Sequence, residues 1–429
     1  MSPEKEYTII APTGDLILDV RQTEGADQFF YRVDSETLRQ NSRYFEKLLS
    51  DQFSEGSRVR AVHQGLRNSG TTIAEASPDI LPQVSIIDVG KISKVSTIQL
   101  LTADFLRALH GHDLSVTKLP IANLANLAVV ADRFDALPSL TTYVRRKKYI
   151  QALDARTRAN PNAASVEERA RQKLMIGLFL DYAPWVTKYS LQLILRDSAQ
   201  WGVFYKEPEN IKALWWDIPN GIEADELVHR REYILDTINS LQSHFLKLYT
   251  SGDRQCRLGY DSSPQCDSFQ LGEMTRFFVK INTLRLQGTI YDVDEDSRQY
   301  CGDIDRLIES LRQCPSYQID RNHAHCGLRV RLIPLLDFIQ NWIGTDSGGG
   351  SDIGLCLDCW KNHRGAYAWT TAKRPVLWTR STATTGRRSN GFSRDSEPQR
   401  GCSSRCLDRH IAVRDIFMAA DREWTDRGT

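Results

Sequence analysis

The sequence predicts an α+β protein, in which an N-terminal α/β domain is followed by a mostly α-helical region and a largely disordered basic tail. Three observations predict this order. Strand-like alternation of apolar residues is concentrated in the first 90 residues, whereas apolar spacing of three and four residues dominates from about residue 165 to 345. From Lys361 onward the sequence contains 14 Lys and Arg but only 7 Asp and Glu, and periodic aliphatic residues are few. Such a segment buries too little apolar surface to fold, which predicts disorder.

Length and composition exclude several classes of protein. A chain of 429 residues is long enough for two or three folded units. Hydrophobic residues make up 41% and charged residues 25%, close to globular averages, which excludes wholesale disorder and a collagen-like fibre. The formal net charge of +1 removes any global electrostatic attraction to nucleic acid or anionic membranes. We therefore expect no membrane contact, and nucleic acid is disfavoured as a partner.

The N-terminus and the apolar runs predict where the protein resides. Acidic residues stand where a secretory signal peptide needs a basic region followed by an apolar stretch. The longest apolar runs, residues 174–180 and 119–131, fall short of the ~20 residues that cross a bilayer. These features predict an intracellular protein, and the sequence leaves cytoplasm and nucleus open.

The N-terminal segment indicates a β-hairpin that leads into a helix. Leu16, Leu18 and Val20 alternate on one face, and a second extended run covers residues 28–33. Asp34 then stands at the position of a helix N-cap. An apolar stripe follows at helical spacing: Leu38, Ser42, Phe45, Leu48 and Leu49.

The rest of this domain is predicted as an insertion, a third strand and further helices. Residues 54–82 are polar and carry several Gly and Pro, which predicts an inserted loop. Residues 84–89 are a strand candidate, and residues 102–110 predict a short helix. Pro120 and Pro138 each open another helix, because proline costs least in a first helical turn.

The hairpin and first helix resemble the opening of the BTB/POZ fold. That family's motif is an Asp-led strand, a second strand ending in an apolar residue, and a helix that carries Ser-x-Tyr/Phe-Phe. The matching residues are Asp15, Leu16, Leu18, Phe30, Val33, Leu38, Ser42, Tyr44 and Phe45, continued by Leu48, Leu49, Phe53 and Glu55. The resemblance covers residues 8–150, with Phe105 to Leu109 as the mid-domain helix. Asp34 stands where the family usually has His, and the insertion lengthens a normally short connection. The whole chain is similar to uncharacterised fungal proteins that join such a domain to a helical, Cys/His-bearing region.

The resemblance implies protein binding. BTB/POZ domains typically form homodimers, and many recruit a cullin-type ubiquitin ligase scaffold, so the family predicts a dimerising adaptor or scaffold that is not an enzyme. The sequence also lacks the motifs of P-loop, dinucleotide-binding, serine hydrolase and zinc protease sites. The alternative is a nucleic-acid-associated transcriptional regulator that uses a zinc-stabilised C-terminal region.

Cys and His residues of the C-terminal half predict a metal site. A Cys-x-x-Cys pair with a distant Cys and His provides the four donors of a tetrahedral structural zinc site. The candidates are His323, His325, Cys326, Cys356, Cys359 and His363. We expect one zinc ion held by the three Cys of this set and by one of its His. Four further residues are competing ligands or simple buried thiols: Cys256, Cys266, Cys301 and Cys314.

The predicted organisation therefore has four parts. A BTB/POZ-like domain covers residues 8–150, and a mostly helical region covers residues 165–345. A Gly hinge at residues 348–350 begins the Cys/His segment, residues 346–370, and would let the two halves of the metal site fold together. The basic tail covers residues 371–429, in which a stretch at residues 411–420 has a helical pattern.

Overall fold

A computed structural model of the chain has a small N-terminal sheet and a helical remainder, which confirms the α+β class. The structure describes residues 5–23, 26–93, 95–159, 166–196, 213–218, 222–258, 263–284, 302–344, 352–379 and 404–424. The chain divides into two units, the first Met1–Trp185 with Pro208–Pro219 and the second Val186–Glu207 with Asn220–Thr429. The first unit thus extends beyond the predicted boundary at residue 150. None of the described helices combines the length and the hydropathy that a bilayer-spanning helix needs.

The sheet of the first unit has the predicted hairpin at its centre. Its strands are β1 (Tyr7–Ile9), β2 (Leu16–Arg21), β3 (Phe29–Val33) and β4 (Gln83–Ile87). They lie in the order β1-β3-β2-β4. β2 and β3 pair antiparallel, with Leu18 opposite Tyr31, whereas β1 runs parallel to β3 and β4 runs parallel to β2. The parallel return to β4 requires a long connection, which the helices between β3 and β4 provide.

Helices of the first unit begin where the sequence places caps and prolines. The described helices are α1 (Ser35–Asn41), α2 (Arg43–Leu48), α3 (Ser54–Asn68), α4 (Ile98–Leu109), α5 (Ile121–Arg133), α6 (Leu137–Arg146), α7 (Tyr149–Ala159) and α8 (Val166–Phe179). Asp34 caps α1 by accepting from the backbone N–H of Thr37 at 2.7 Å. Pro120 precedes α5 and Pro138 lies in the first turn of α6. These three predictions are confirmed.

Two polar residues of the BTB/POZ-like motif hold the chain at the starts of α1 and α2. The carboxylate of Asp15 accepts from the backbone N–H and the hydroxyl of Ser35, both at 2.7 Å. Ser42 caps α2 by accepting from the backbone N–H of Phe45, and its hydroxyl donates to the carbonyl of Phe134 at 2.6 Å. Backbone donors at these helix starts therefore have partners inside the protein.

An aromatic stack lies in the core of the first unit. The ring of Phe134 is 5.5 Å from the rings of both Phe45 and Phe105, in stacked geometry. Phe45 and Phe105 are each 1% exposed. The three rings come from α2, α4 and the residue after α5, so the stack joins these helices. Stacked aromatic pairs add ~0.5–1.5 kcal/mol beyond the area that they bury.

Residues 54–82 do not form the inserted loop that the sequence predicts. Ser54–Asn68 form α3, and two short 3₁₀ turns follow before β4. Gly56 and Gly65, which look like turn signals in the sequence, both lie inside α3. At Gly56 a Cβ atom would lie 2.1 Å from the carbonyl oxygen of Ser50. Glycine at this position allows a close backbone approach, which local sequence patterns do not reveal.

Alanine at these two glycines is expected to change stability in opposite directions. Gly56→Ala forces a methyl group onto the Ser50 carbonyl and should lower the free energy of unfolding by ~1–3 kcal/mol. Gly65→Ala meets no atom within 4 Å and should raise it by ~0.5–1 kcal/mol, because glycine is a poor helix former. Chemical denaturation of both variants measures the difference. Equal effects would contradict the close approach at Gly56.

The second unit is mostly helical and is built around α10 (Val228–Thr250), which follows a π-helical turn at Ile222–Leu227. The other described helices are α9 (Ala183–Leu195), α11 (Ser263–Lys280), α12 (Ile304–Arg312), α13 (Leu328–Ile343), α14 (Leu357–Asn362), α15 (Arg364–Tyr367) and α16 (Ser404–Met418). Most of α9 belongs to this unit. α10 buries a continuous apolar stripe on one face: Ile234, Ile238, Leu241 and Phe245.

The tail is folded where the structure describes it, which corrects the predicted disorder of residues 371–429. β5 (Leu377–Thr379) pairs in parallel with β6 (Asp421–Glu423), and α16 includes much of the helical stretch expected at residues 411–420. Trp378 and Trp424 pack with ring centres 5.6 Å apart. The indole N–H of Trp424 donates to the hydroxyl of Ser240 on α10 at 3.1 Å. The predicted Gly hinge at residues 348–350 lies outside the described residues.

A buried ion pair connects α10 to two segments that flank α14 and α15. The side chains of Glu226 and Arg230 are 0% exposed, and the guanidinium donates to the carboxylate at 2.6 and 2.8 Å. Glu226 also accepts from the backbone N–H groups of Trp369 and Thr370, and Arg230 donates to the carbonyl of Gly354. Both buried charges are therefore compensated by a partner and by further hydrogen bonds.

Two candidate metal centres

Among the described residues, the second unit contains two groups of four Cys and His side chains that could each hold a metal ion. The first cluster is Cys256, Cys266, His323 and Cys326, and the second cluster is Cys356, Cys359, Cys406 and His410. Within each cluster the candidate ligand atoms all lie within 4.8 Å of one another. The described cysteines are thiols and form no disulfides with each other.

The first cluster is built from short segments that flank α11 and α13. Cys256 lies in the loop after α10, Cys266 in the first turn of α11, His323 at the end of a 3₁₀ turn, and Cys326 just before α13. Their exposed fractions are 5%, 0%, 2% and 2%. The hydroxyl of Tyr249 on α10 donates to the carbonyl of Cys326 at 3.0 Å and holds this loop in place.

Distances in the first cluster match the edges of a tetrahedral coordination shell. The Sγ atoms of Cys256 and Cys326 are 3.8 Å apart, and Sγ of Cys256 is 3.5 Å from Nδ1 of His323. Metal–sulfur bonds of ~2.3 Å and metal–nitrogen bonds of ~2.0 Å give tetrahedral edges of ~3.8 Å between sulfurs and ~3.5 Å between sulfur and nitrogen. These two distances are the ones that a metal ion bound to Cys256, Cys326 and His323 would require, and all four candidate ligand atoms lie within 4.8 Å of one another.

The thiols of the first cluster do not ionise alike. Burial would raise the pKa of Cys256, but hydrogen bonds with the Leu258 backbone and the Ser263 side chain outweigh it and lower that pKa. Burial and the charges of the neighbouring Cys326 and Cys256 raise the pKa of Cys266. Thiolates at this separation repel one another, so a bound cation is what would allow them all to be charged.

The second cluster joins α14 to α16. Cys356 is the N-cap of α14 and Cys359 lies in its first turn, whereas Cys406 and His410 are four residues apart on α16 and share one face. Cys359 and His410 are buried, and Cys356 and Cys406 are partly exposed. Sγ of Cys406 lies 3.4 Å from Nε2 of His410, close to the ~3.5 Å expected between two ligands of one metal ion.

In both clusters the second ring nitrogen of the histidine meets an aspartate. Nδ1 of His410 is 3.1 Å from the carbonyl oxygen of Asp352 and 3.6 Å from its carboxylate. Nε2 of His323 is 3.9 Å from the carboxylate of Asp320. The hydrogen bond from Nδ1 of His410 to the Asp352 carbonyl leaves Nε2 as the nitrogen available to a metal ion, whereas the 3.9 Å between His323 and Asp320 is too long for a hydrogen bond.

Neighbouring side chains hold the second cluster in position. The backbone N–H of Cys356 donates to the hydroxyl of Tyr367 at 2.7 Å, and the ring of Tyr367 packs edge-on against His410 at 5.1 Å. The backbone N–H of Leu355 donates to the hydroxyl of Ser190 on α9 at 2.7 Å. Burial would raise the pKa of Cys356, but its hydrogen bond with His410 lowers it.

The structure places four of the six predicted ligands in two different clusters, which corrects the expectation of one shared site. The first cluster takes His323 and Cys326, the second takes Cys356 and Cys359, and neither includes the exposed His325 and His363. Between Cys326 and Cys356 the chain passes through α13, whose 16 residues rise ~1.5 Å each and span ~24 Å.

Sequence reasoning missed Cys406 and His410 as ligands. Their spacing of four residues is a usable signal for a shared helix face, but it falls in the segment for which composition predicts disorder. The sequence analysis names Cys256 and Cys266 only as competing ligands or simple buried thiols. Cys314 lies in neither cluster, and burial raises the pKa of its thiol to about 11. Cys301, the last competitor, lies outside the described residues.

Comparison with known proteins finds no match for this chain among protein-family models, curated proteins or solved structures. Function therefore has to be inferred from the residues and elements described above.

Proposed function

We propose that this chain is a non-enzymatic adaptor or scaffold for other proteins. Its first unit acts as a BTB/POZ-like domain that forms a homodimer, and a cullin-type ubiquitin ligase scaffold is the candidate partner. Its second unit is held together by structural zinc. Two sets of observations support this proposal: the element order of the first unit, and the donor chemistry of the two clusters.

The order and pairing of elements in the first unit carry the proposal. The β2–β3 hairpin leads directly into α1 and α2, β4 returns parallel to β2, and α4 to α6 follow. The residues that carry the BTB/POZ resemblance have packing roles at these points: Asp15 anchors the start of α1, Ser42 caps α2, and Phe45 lies in the aromatic stack. Agreement between residue type and structural role favours a fold whose members bind proteins.

The outer strands of the described sheet supply surface for such contacts. β1 and β4 are its edges, and each carries an exposed apolar side chain. Ile9 on β1 is 46% exposed and Ile87 on β4 is 44% exposed. Edge strands offer backbone groups for pairing with another chain, and exposed apolar residues there favour association.

The donor sets of both clusters favour zinc. Three thiolates and one imidazole are ligands for Zn²⁺ rather than for Ca²⁺ or Mg²⁺, which prefer oxygen. Four protein ligands complete a tetrahedral shell and leave no open position at which water could be activated. Zinc at these sites would therefore stabilise the second unit rather than catalyse a reaction.

We expect the full chain to be a dimer at tens of micromolar, with a mass by light scattering of twice 48.9 kDa. Ile9→Lys and Ile87→Lys should weaken the dimer, because a charge on an edge strand opposes pairing. Val279→Lys, at a side chain that is 43% exposed on α11 of the second unit, is the matched control and should leave the dimer intact. A strictly monomeric, folded chain would contradict the dimer.

Partner binding separates the adaptor from the transcriptional regulator. Co-elution of the full chain with a purified cullin scaffold favours the adaptor, whereas binding to duplex DNA that weakens steeply with salt favours the regulator. Phe105, Leu106 and Leu109 are at most 5% exposed, so charges at these positions would unfold the domain. Leu100→Asp is the better interface variant, since Leu100 lies on the same helix and is 46% exposed.

A further inference from the structure

The two clusters differ in how exposed their cysteine residues are. No ligand of the first cluster is more than 5% exposed. In the second cluster, Cys356 and Cys406 are both partly exposed, while Cys359 and His410 beside them are buried. The Sγ atoms of Cys356 and Cys406 lie within 4.8 Å of each other. Two neighbouring cysteines of the second cluster are thus partly exposed to solvent.

We propose that Cys356 and Cys406 are a site of reversible oxidation by hydroperoxides, and that this oxidation releases the metal ion of the second cluster. The inference rests on the proposed zinc binding and adds a regulated step at one of the two sites. The first cluster, whose sulfur atoms are shielded, keeps its metal ion under the same conditions. Susceptibility of thiolates to oxidants follows their exposure.

The oxidation proceeds in two balanced steps. The thiolate sulfur of one cysteine attacks an oxygen of hydrogen peroxide, the O–O bond breaks, and a sulfenic acid forms as hydroxide leaves. The thiolate of the other cysteine then attacks the sulfenic sulfur, the S–O bond breaks, and the disulfide forms as a second hydroxide leaves. Two thiolates have lost two electrons, and the two hydroxides take up two protons to become water. A thiol reductant reverses the change by exchange.

Loss of two thiolate ligands removes the metal ion but not the connection between α14 and α16. Only Cys359 and His410 remain as donors, and two ligands do not hold zinc as four do. The new disulfide joins the same two elements that the metal joined, after the two sulfur atoms have moved to a bond length of ~2.05 Å. Oxidation therefore exchanges one cross-link for another, and α16 stays attached while one zinc ion is released.

The test treats the zinc-loaded full chain with hydrogen peroxide. A chelating dye follows zinc release, and mass spectrometry of digested, alkylated protein maps the disulfide. We expect one of two zinc ions to be released, a disulfide between Cys356 and Cys406, and recovery after reductant and zinc are added. Cys406→His keeps four donors but removes one exposed thiolate, and should slow release at least ~10-fold by preventing this disulfide. Cys314→Ser, at a buried thiol outside both clusters, is the control and should behave as the unchanged chain.

The outcomes separate this inference from the zinc proposal. Two bound zinc ions that leave at the same rate, earlier loss from the first cluster, or a disulfide between other cysteines would overturn the inference while zinc binding stands. A chain that binds no zinc before oxidation would overturn both. If the Cys406→His variant binds no metal ion at the second cluster, the inference is tested by the position of the disulfide in the unsubstituted chain instead.

Discussion

Removal of both metal ions is expected to unfold the second unit while the first unit keeps its structure. All eight candidate ligands lie in the second unit, on or next to α10, α11, α13, α14 and α16. Structural zinc contributes an apparent ~10–16 kcal/mol in small zinc domains, which is as large as the whole stability of ~5–15 kcal/mol that a folded domain typically has.

Hydrogen exchange measured peptide by peptide checks this prediction before and after a strong chelator is added. Peptides from α10, α13 and α16 should lose protection, and those from β2, β3 and α5 should not. Addition of zinc should restore the slow exchange. Unchanged protection in the second unit would contradict a stabilising role for the clusters.

Glu226→Ala is expected to destabilise the second unit by ~3–5 kcal/mol, because it leaves the fully buried guanidinium of Arg230 without its counter-ion. The substitution also removes the acceptor for the backbone N–H groups of Trp369 and Thr370, and each unsatisfied buried donor adds to the cost. Glu226→Gln keeps an acceptor oxygen and should cost less. Chemical denaturation of the zinc-loaded protein measures these losses.

Asp225→Ala is the matched control, since the neighbouring Asp225 is exposed and its removal should change stability by no more than ~0.5 kcal/mol. A variant in which Leu replaces Glu226 and Met replaces Arg230 should recover part of the loss, because an apolar pair leaves no buried charge. A loss below ~1 kcal/mol for Glu226→Ala would mean that water reaches Arg230 and that the ion pair is not the link between these segments.

Features of the fold that depend on neighbouring residues are the ones that the sequence predicts correctly. Asp34 as a cap, Pro120 and Pro138 as helix starts, and the hairpin that contains Leu18 all follow from local patterns. α3 does not, because Gly56 is required by the distant backbone of Ser50 rather than by a turn. Glycine in a sequence does not say which of these two reasons applies.

Burial of residues in the tail also depends on neighbours that are distant in the sequence. Trp378, Phe417 and Trp424 lie in a segment that is polar and basic on average, and they are buried because β5, α16 and β6 pack within the second unit. Composition measures how much apolar surface a segment carries, not how much a neighbouring helix covers.

For the candidate metal sites, the sequence predicts which residue types could be ligands but not which of them share a site. Spacing selects Cys356, Cys359 and Cys326 as candidate ligands, but it does not distinguish His323 from His325 and His363. Which candidate ligands lie together depends on the path of the chain through α13 and on the folding of the tail into α16. Ligand spacing reveals neither.

Elemental analysis of the purified full chain tests the two-site proposal most directly. We expect two zinc ions per chain, one ion per chain in Cys266→Ser, one in Cys406→Ser, and none when both substitutions are combined. The single variants should lose different ions, so that only Cys266→Ser retains the ion that peroxide releases. A chain that binds no stoichiometric zinc, or a single ion that either substitution removes, would contradict two independent centres.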